Sequence, residues 1–226
     1  GMLVKQAALN YCLWTENMAP KDMMKEALLR EFNLENETVQ EEKTIQKNIA
    51  IQEKVTKGEE NIMDEQDRKL IEKMMEYYAG DPKRVQHFLK VYEFAKLIGE
   101  SESLDTETMH ILRTAAIVHD IGIKISEEKY GSSNGKYQEK EGPAIAKKLL
   151  EKLGFDKDVS DRVQYLIAHH HTYNNINEID YQILVEADFL VNIMESDLSK
   201  EATLKAYHTI FKTTCGKTIC KEMFGI

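Results

Sequence analysis

With 226 residues, 42% of them hydrophobic, the chain is long enough to bury a sizeable core and too apolar to belong with disordered sequences. Its formal charge of -9 opposes tight non-specific binding to nucleic acid, which depends on basic side chains displacing counterions, but leaves room for a small anionic ligand held by a few local cations. No apolar stretch approaches the roughly 20 residues that cross a bilayer, and Cys12, Cys215 and Cys220 form neither a CxxC spacing nor an even framework, so a cytoplasmic, membrane-free protein with reduced thiols is expected.

The segments between Pro20, Pro82 and Pro143 are rich in Ala, Leu, Glu, Lys and Met at helical spacing, which predicts an all-α protein. Gly1-Met2 reads as the remnant of a cleaved tag. Helices are expected over 3–16, 20–33 and 36–56. The first of these could bury Leu3, Ala7, Tyr11 and Trp14, and carries no recognisable chemistry. Residues 35–61 are dense in Glu, Lys, Gln and Asn, the composition of a solvated helix or connection. They set the expected boundary between a helical extension, 1–61, and a main domain, 62–226.

Further helices are expected over 64–79, 82–99 and 105–121. Asp81-Pro82 opens the second of these with proline at the first helical position, and on it His87 shares a face with Val91, Phe94 and Ala95. On the third, His119 follows Leu112, Ala115 and Ala116 on one face, with Asp120 next and the end expected at Gly122. Small polar residues from Tyr130 to Tyr137 predict a surface loop, and Gly142-Pro143 predicts a helix start, giving 143–153.

In the helix expected over 157–171, the inward stripe Val163, Leu166 and Ile167 continues to His170. His169 and His171 then lie about 100° to either side, outside the same site. The helix expected over 178–196 places Asp188 among Leu184, Val185 and Val191. An unpaired carboxylate there costs several kcal/mol, so it calls for a metal, a cation or hydrogen-bond donors such as a neighbouring Arg or Asn192. Helices over 199–213 and 216–224 complete the chain. His110 and His208 lack such company and read as structural. Four helices thus deliver an imidazole or carboxylate to the core, a ligand set suited to zinc, iron, manganese, cobalt or nickel.

The order His87, the pair in His119-Asp120-Ile121-Gly122-Ile123-Lys124, and Asp188 in Glu186-Ala187-Asp188-Phe189-Leu190 resembles the HD-domain phosphohydrolase superfamily over roughly residues 64–200. The resemblance implies a multi-helix HD-type bundle and a divalent ion (Mn, Fe, Co, Ni, Zn or Mg) on His87, His119, Asp120 and Asp188. It also implies hydrolysis of a phosphate ester, a nucleotide or a related small phosphorylated metabolite. Glu141 and His170 match positions at which some members hold a second ion. Asp120 is matched to acceptance of a proton from the attacking water, and Lys124, one residue later than usual, to phosphate binding; Lys136 is a looser candidate clamp. Two alternatives stay open: a di-iron oxygenase completed by Glu141 and His170, and a non-catalytic nucleotide sensor signalling through residues 1–61. No base-reading motif names the nucleotide, and no feature sets an oligomeric state.

Overall fold

The computed structural model describes residues 62–226 together with 45–48 and 58. Contacts divide the chain into units 1–59 and 60–226. The expected helices 3–16 and 20–33, and all of 36–56 apart from helical 45–48, lie outside the described residues.

In the second unit the described residues form helices and no strand: α1 (62–77), α2 (Pro82–Ser101), α3 (Thr106–Val118), α4 (Ile123–Tyr130), α5 (Gly135–Leu153), α6 (Lys157–Ile167), α7 (Ile179–Glu195), α8 (Lys200–Thr209) and α9 (Thr214–Phe224). Each of the site helices has a local cause. Asp81 caps α2, accepting from the Arg84 N–H at 3.2 Å, and Pro82 follows where a missing N–H costs nothing. Asp105 caps α3 through the Thr108 N–H at 2.9 Å. α7 is apolar nearly all round, with Ile183, Leu184, Ala187, Leu190 and Val191 fully buried, as a helix inside a bundle must be.

The central packing is of α2 against α3 and α7, with α3 also lying on α6 and α7, and α5 on α6. Phe88, Val91, Leu112, Ala116, Ile117, Leu166 and Leu190 sit in this core at 0–1% exposure. Three acidic groups buried with it have partners. Asp67 takes Arg113, Asp180 takes Arg162, and Glu186 accepts from Gln182 Nε2, the Lys212 and Thr213 N–H groups and the Thr213 hydroxyl.

Three expectations are corrected. α3 ends at Val118, before His119 and Asp120, which lie in the turn that follows. A short helix, α4, then occupies 123–130, so the loop shrinks to 131–134. α5 starts at Gly135 rather than Pro143, because the Asn134 side chain accepts from the Lys136 N–H at 3.0 Å and nucleates the helix eight residues earlier; Pro143 lies inside it. No helix among the described residues is long and apolar enough to cross a membrane. Cys215 and Cys220 are free thiols, while Cys12 lies outside the described residues.

Candidate metal centre

Four segments converge on one pocket: the start of α2, the turn after α3, the turn after α6 and the middle of α7. His87 Nε2 lies 3.3 Å from His119 Nε2 and 3.2 Å from Asp188 Oδ1, and His119 Nε2 is 3.6 Å from that same oxygen. Asp120 Oδ2 approaches His87 and His119 at 3.5 and 3.4 Å, while its other oxygen, Oδ1, faces His170 Nε2 at 3.5 Å. Two groups with metal-binding spacing result, His87–His119–Asp188 and Asp120–His170–His171. Asp120 turns one oxygen to each.

The ring tautomers fit ligation. The Nδ1 atoms of His119 and His170 lie 2.9 and 2.7 Å from the carbonyl oxygens of Ala116 and Ile167, which can only accept, and His87 Nδ1 lies 2.9 Å from Glu195 Oε2. Each Nδ1 therefore carries a proton, and each ring turns its Nε2 to the pocket. Two Nε2 atoms 3.3 Å apart beside two carboxylates call for positive charge among them, a proton or a metal ion. His170 Nε2 and His171 Nε2 are buried with no hydrogen-bond partner among the described residues, the condition of a ligand atom awaiting its ion.

Electrostatics point the same way. Burial by itself disfavours charge on His119, yet the neighbouring Asp120 and Asp188 carboxylates push its pKa well above the ordinary imidazole value. Burial likewise opposes charge on Asp120, and His119 beside it holds that carboxyl well below the usual range. Asp188 is lowered too, against its burial, by His119 and His87. This centre attracts positive charge, whether protons or a metal ion. His171, buried and close to His170, is pushed down to about 4 and so stays neutral.

Surrounding residues hold these groups in place. Glu195, the last residue of α7, also accepts from Lys90 Nζ at 3.0 Å, so a Lys–Glu pair anchors His87. Asn192 Nδ2 donates to Asp188 Oδ1 at 2.8 Å. The Tyr78 and Tyr77 hydroxyls donate to the carbonyls of Asp120 and Ile121 at 2.6 and 3.2 Å, fastening the turn. Glu139 on α5 accepts from the His171 N–H at 3.1 Å and the Thr172 hydroxyl at 3.0 Å, fixing the histidine turn.

Of the residues singled out in the sequence, His87, His119, Asp120, Asp188 and His170 meet here. His171 joins them although helical geometry placed it elsewhere: α6 stops at Ile167, and in the turn that follows the 100° step no longer applies. His169 Nδ1 faces the Tyr165 carbonyl at 2.7 Å, outside both groups. Glu141 is not brought to the cluster; it accepts from Lys129 Nζ at 2.5 Å and the Tyr130 hydroxyl at 2.7 Å. Lys124 lies in a neighbouring cavity, and Lys136 is exposed on the first turn of α5. The cations that line the pocket, about 270 Å³ in volume, are Lys83 and Arg84, with Gln138, Ser133 and Asn192 adding polar groups. Sequence reading passed over Lys83 and Arg84; their one signal was position, a single turn before His87 on the same helix.

Among solved structures, a predicted HD superfamily hydrolase from an uncultured Thermotogales bacterium shares this fold, at a TM-score of 0.51 and 22% identity over 70% of this chain and 84% of that one. Among curated proteins none matches the chain. The sequence profile of the HD domain matches residues 84–204, more than half of the chain and the whole of the span from His87 to Asp188. The chain therefore belongs to the HD domain family.

Proposed function

We propose that the chain is a metal-dependent phosphohydrolase, a phosphatase or phosphodiesterase acting on a nucleotide or related small phosphorylated metabolite. The observation that carries this reading is Asp120, which turns its two oxygens to two histidine groups in a pocket that Lys83 and Arg84 also line. His87, His119, Asp120 and Asp188 would hold one divalent ion, and His170 and His171 offer ligands for a second that shares Asp120. An ion held there supplies a Lewis acid for a phosphoryl oxygen and draws the pKa of a bound water toward neutrality.

The protein's own groups do the rest. Asp120 stays ionised in its surroundings and can accept a proton from the attacking water. Lys83 and Arg84, not Lys124, neutralise the phosphoryl oxygens as charge accumulates on them. The water oxygen forms a new bond to phosphorus as the ester P–O bond breaks, and the proton taken up by Asp120 passes to the leaving alkoxide. The products are an alcohol and inorganic phosphate, or a phosphomonoester from a diester. Asn192 and Glu195 hold Asp188 and His87 in position throughout.

Elemental analysis followed by a metal-supplemented screen of phosphate esters tests the reading. Turnover is expected with a divalent ion, and His119→Ala or Asp120→Ala should reduce it by more than about a hundredfold, beyond what losing an outer partner costs, with far-ultraviolet dichroism unchanged. Ester hydrolysis that survives both substitutions overturns the assignment. So does a preparation holding two irons that consumes oxygen and hydrolyses no ester.

A further inference from the structure

Gly135 opens α5 with a helical backbone. Unlike Gly131, whose φ is 63°, it holds a conformation that any residue adopts. Glycine at such a position costs helix stability relative to Ala, so its presence calls for another cause. The ring of His171 supplies one. A Cβ on Gly135 would lie 2.6 Å from both Cγ and Cδ2 of His171 and 3.0 Å from its Cβ, well inside the roughly 3.5–4.0 Å at which carbon atoms rest against one another.

The ring has little room to yield. It lies against the ring of His170, with 4.0 Å between ring centres and 42° between planes. His170 is itself fixed, because its Nδ1 bonds the Ile167 carbonyl at 2.7 Å. The His171 backbone is held as well: Glu139, one turn along α5 from Gly135, accepts from the His171 N–H at 3.1 Å and from the Thr172 hydroxyl at 3.0 Å. The start of α5 is fixed in turn by the Asn134 cap and by Gln138 Nε2, which donates to the Ser133 carbonyl at 2.8 Å. Because the contact reaches down to His171 Cβ, rotating the ring alone cannot relieve it. A methyl group at position 135 must push His171 toward His170 or swing its ring away from a group whose ligand atoms lie within 4.8 Å of one another.

We propose that Gly135 is a positioning residue of the metal centre: its missing side chain leaves the slot that holds His171 Nε2 beside His170 and Asp120. The inference rests on the reading of these three residues as ligands for a second ion. It adds a residue that touches neither ion nor substrate, and it makes uptake of the second ion depend on the space of one methyl group in α5. The three atoms nearest that space all belong to His171, so the group His87–His119–Asp188 is reached only indirectly.

Titration of the metal-free protein with cobalt(II), followed by calorimetry and visible absorption, tests this role. The wild-type chain should take up two ions. Gly135→Ala should weaken the second by about 10- to 100-fold and alter the absorption it gives, with the affinity for the first kept within about threefold. In a His171→Ala background the ring is gone, so adding Gly135→Ala should cause no further loss. If Gly135→Ala alone fails to fold, a folded double variant of Gly135→Ala and His171→Ala supports the slot, and a double variant that also fails overturns it. Second-ion binding untouched by Gly135→Ala, or weakened as much without His171 as with it, overturns the role. So does a wild-type chain that takes up one ion; its turnover of a phosphate ester would still uphold the hydrolase reading. The expected pattern of losses in a chain that hydrolyses no ester upholds the role of Gly135 and overturns the hydrolase reading.

Discussion

At the scale of single residues, Glu195 shows how much of the site lies outside its ligand set. Its carboxylate accepts from His87 Nδ1 at 2.9 Å and from Lys90 at 3.0 Å, so it fixes both the tautomer and the angle of the ring. Replacing Glu195 with Ala should weaken metal affinity by about 10- to 100-fold, measured by competition with a chromogenic chelator, while the fold persists. An unchanged affinity would remove Glu195 from the centre. Asp188 was legible in the sequence because a carboxylate among Leu184, Val185 and Val191 must find a partner. Glu195 was not, because it ends a helix, stands beside polar Ser196 and meets His87 across 108 residues of chain. Lys83 and Arg84 were hidden for the same reason: a solvated lysine and a pocket-lining one look alike until the opposite wall is known.

At the scale of elements, the longer helices of the second unit were legible, the short α4 was not, and helix ends decided the chemistry. The Asp81-Pro82 start and the apolar faces of α2, α3 and α7 turned His87, His119 and Asp188 toward the core, and in the structure the three lie together. The stripe on α6 found His170 but excluded His171, because it assumed a helix that in fact stops at Ile167. The Gly142-Pro143 start was a false signal, overridden by the Asn134 cap. Gly122 carries the next consequence at this scale. A Cβ on it would lie 2.6 Å from the Gln138 carbonyl oxygen and 2.9 Å from the Gln138 Cα, both backbone atoms that no rotamer change can move. Gly122→Ala must therefore push α4 and α5 apart two residues after Asp120. A loss of about 1–3 kcal/mol is expected in urea unfolding, together with weaker metal binding, whereas Ala at solvent-facing Gly58, where nothing lies within 4 Å, should lower neither.

At the scale of the whole molecule, the buried His110 ties stability to pH. It stacks on Phe155 at 5.5 Å between ring centres, its Nδ1 has no partner among the described residues, and burial, helped by the nearby Arg113, lowers its pKa. The unfolded chain, with a value of about 6.5, therefore binds a proton more readily than the folded one. Stability is full above that value and falls as the pH drops below it, by up to about 1.4 kcal/mol per pH unit, until the folded ring also protonates. Urea midpoints at pH 7.5 and 5.5 should show that decline, and His110→Leu should reduce it; an equal decline in the variant would assign the effect to other groups. The candidate ligands have a consequence on the same scale. They lie on α2, the turn after α3, the turn after α6 and α7, spanning positions 87 to 188. An ion held by them cross-links segments far apart in sequence, much as a disulfide would, but reversibly and in proportion to its concentration. At a hundred times its dissociation constant it would add about 2.7 kcal/mol to the unfolding free energy, so the supply of metal would govern how long the folded chain survives as well as whether it reacts.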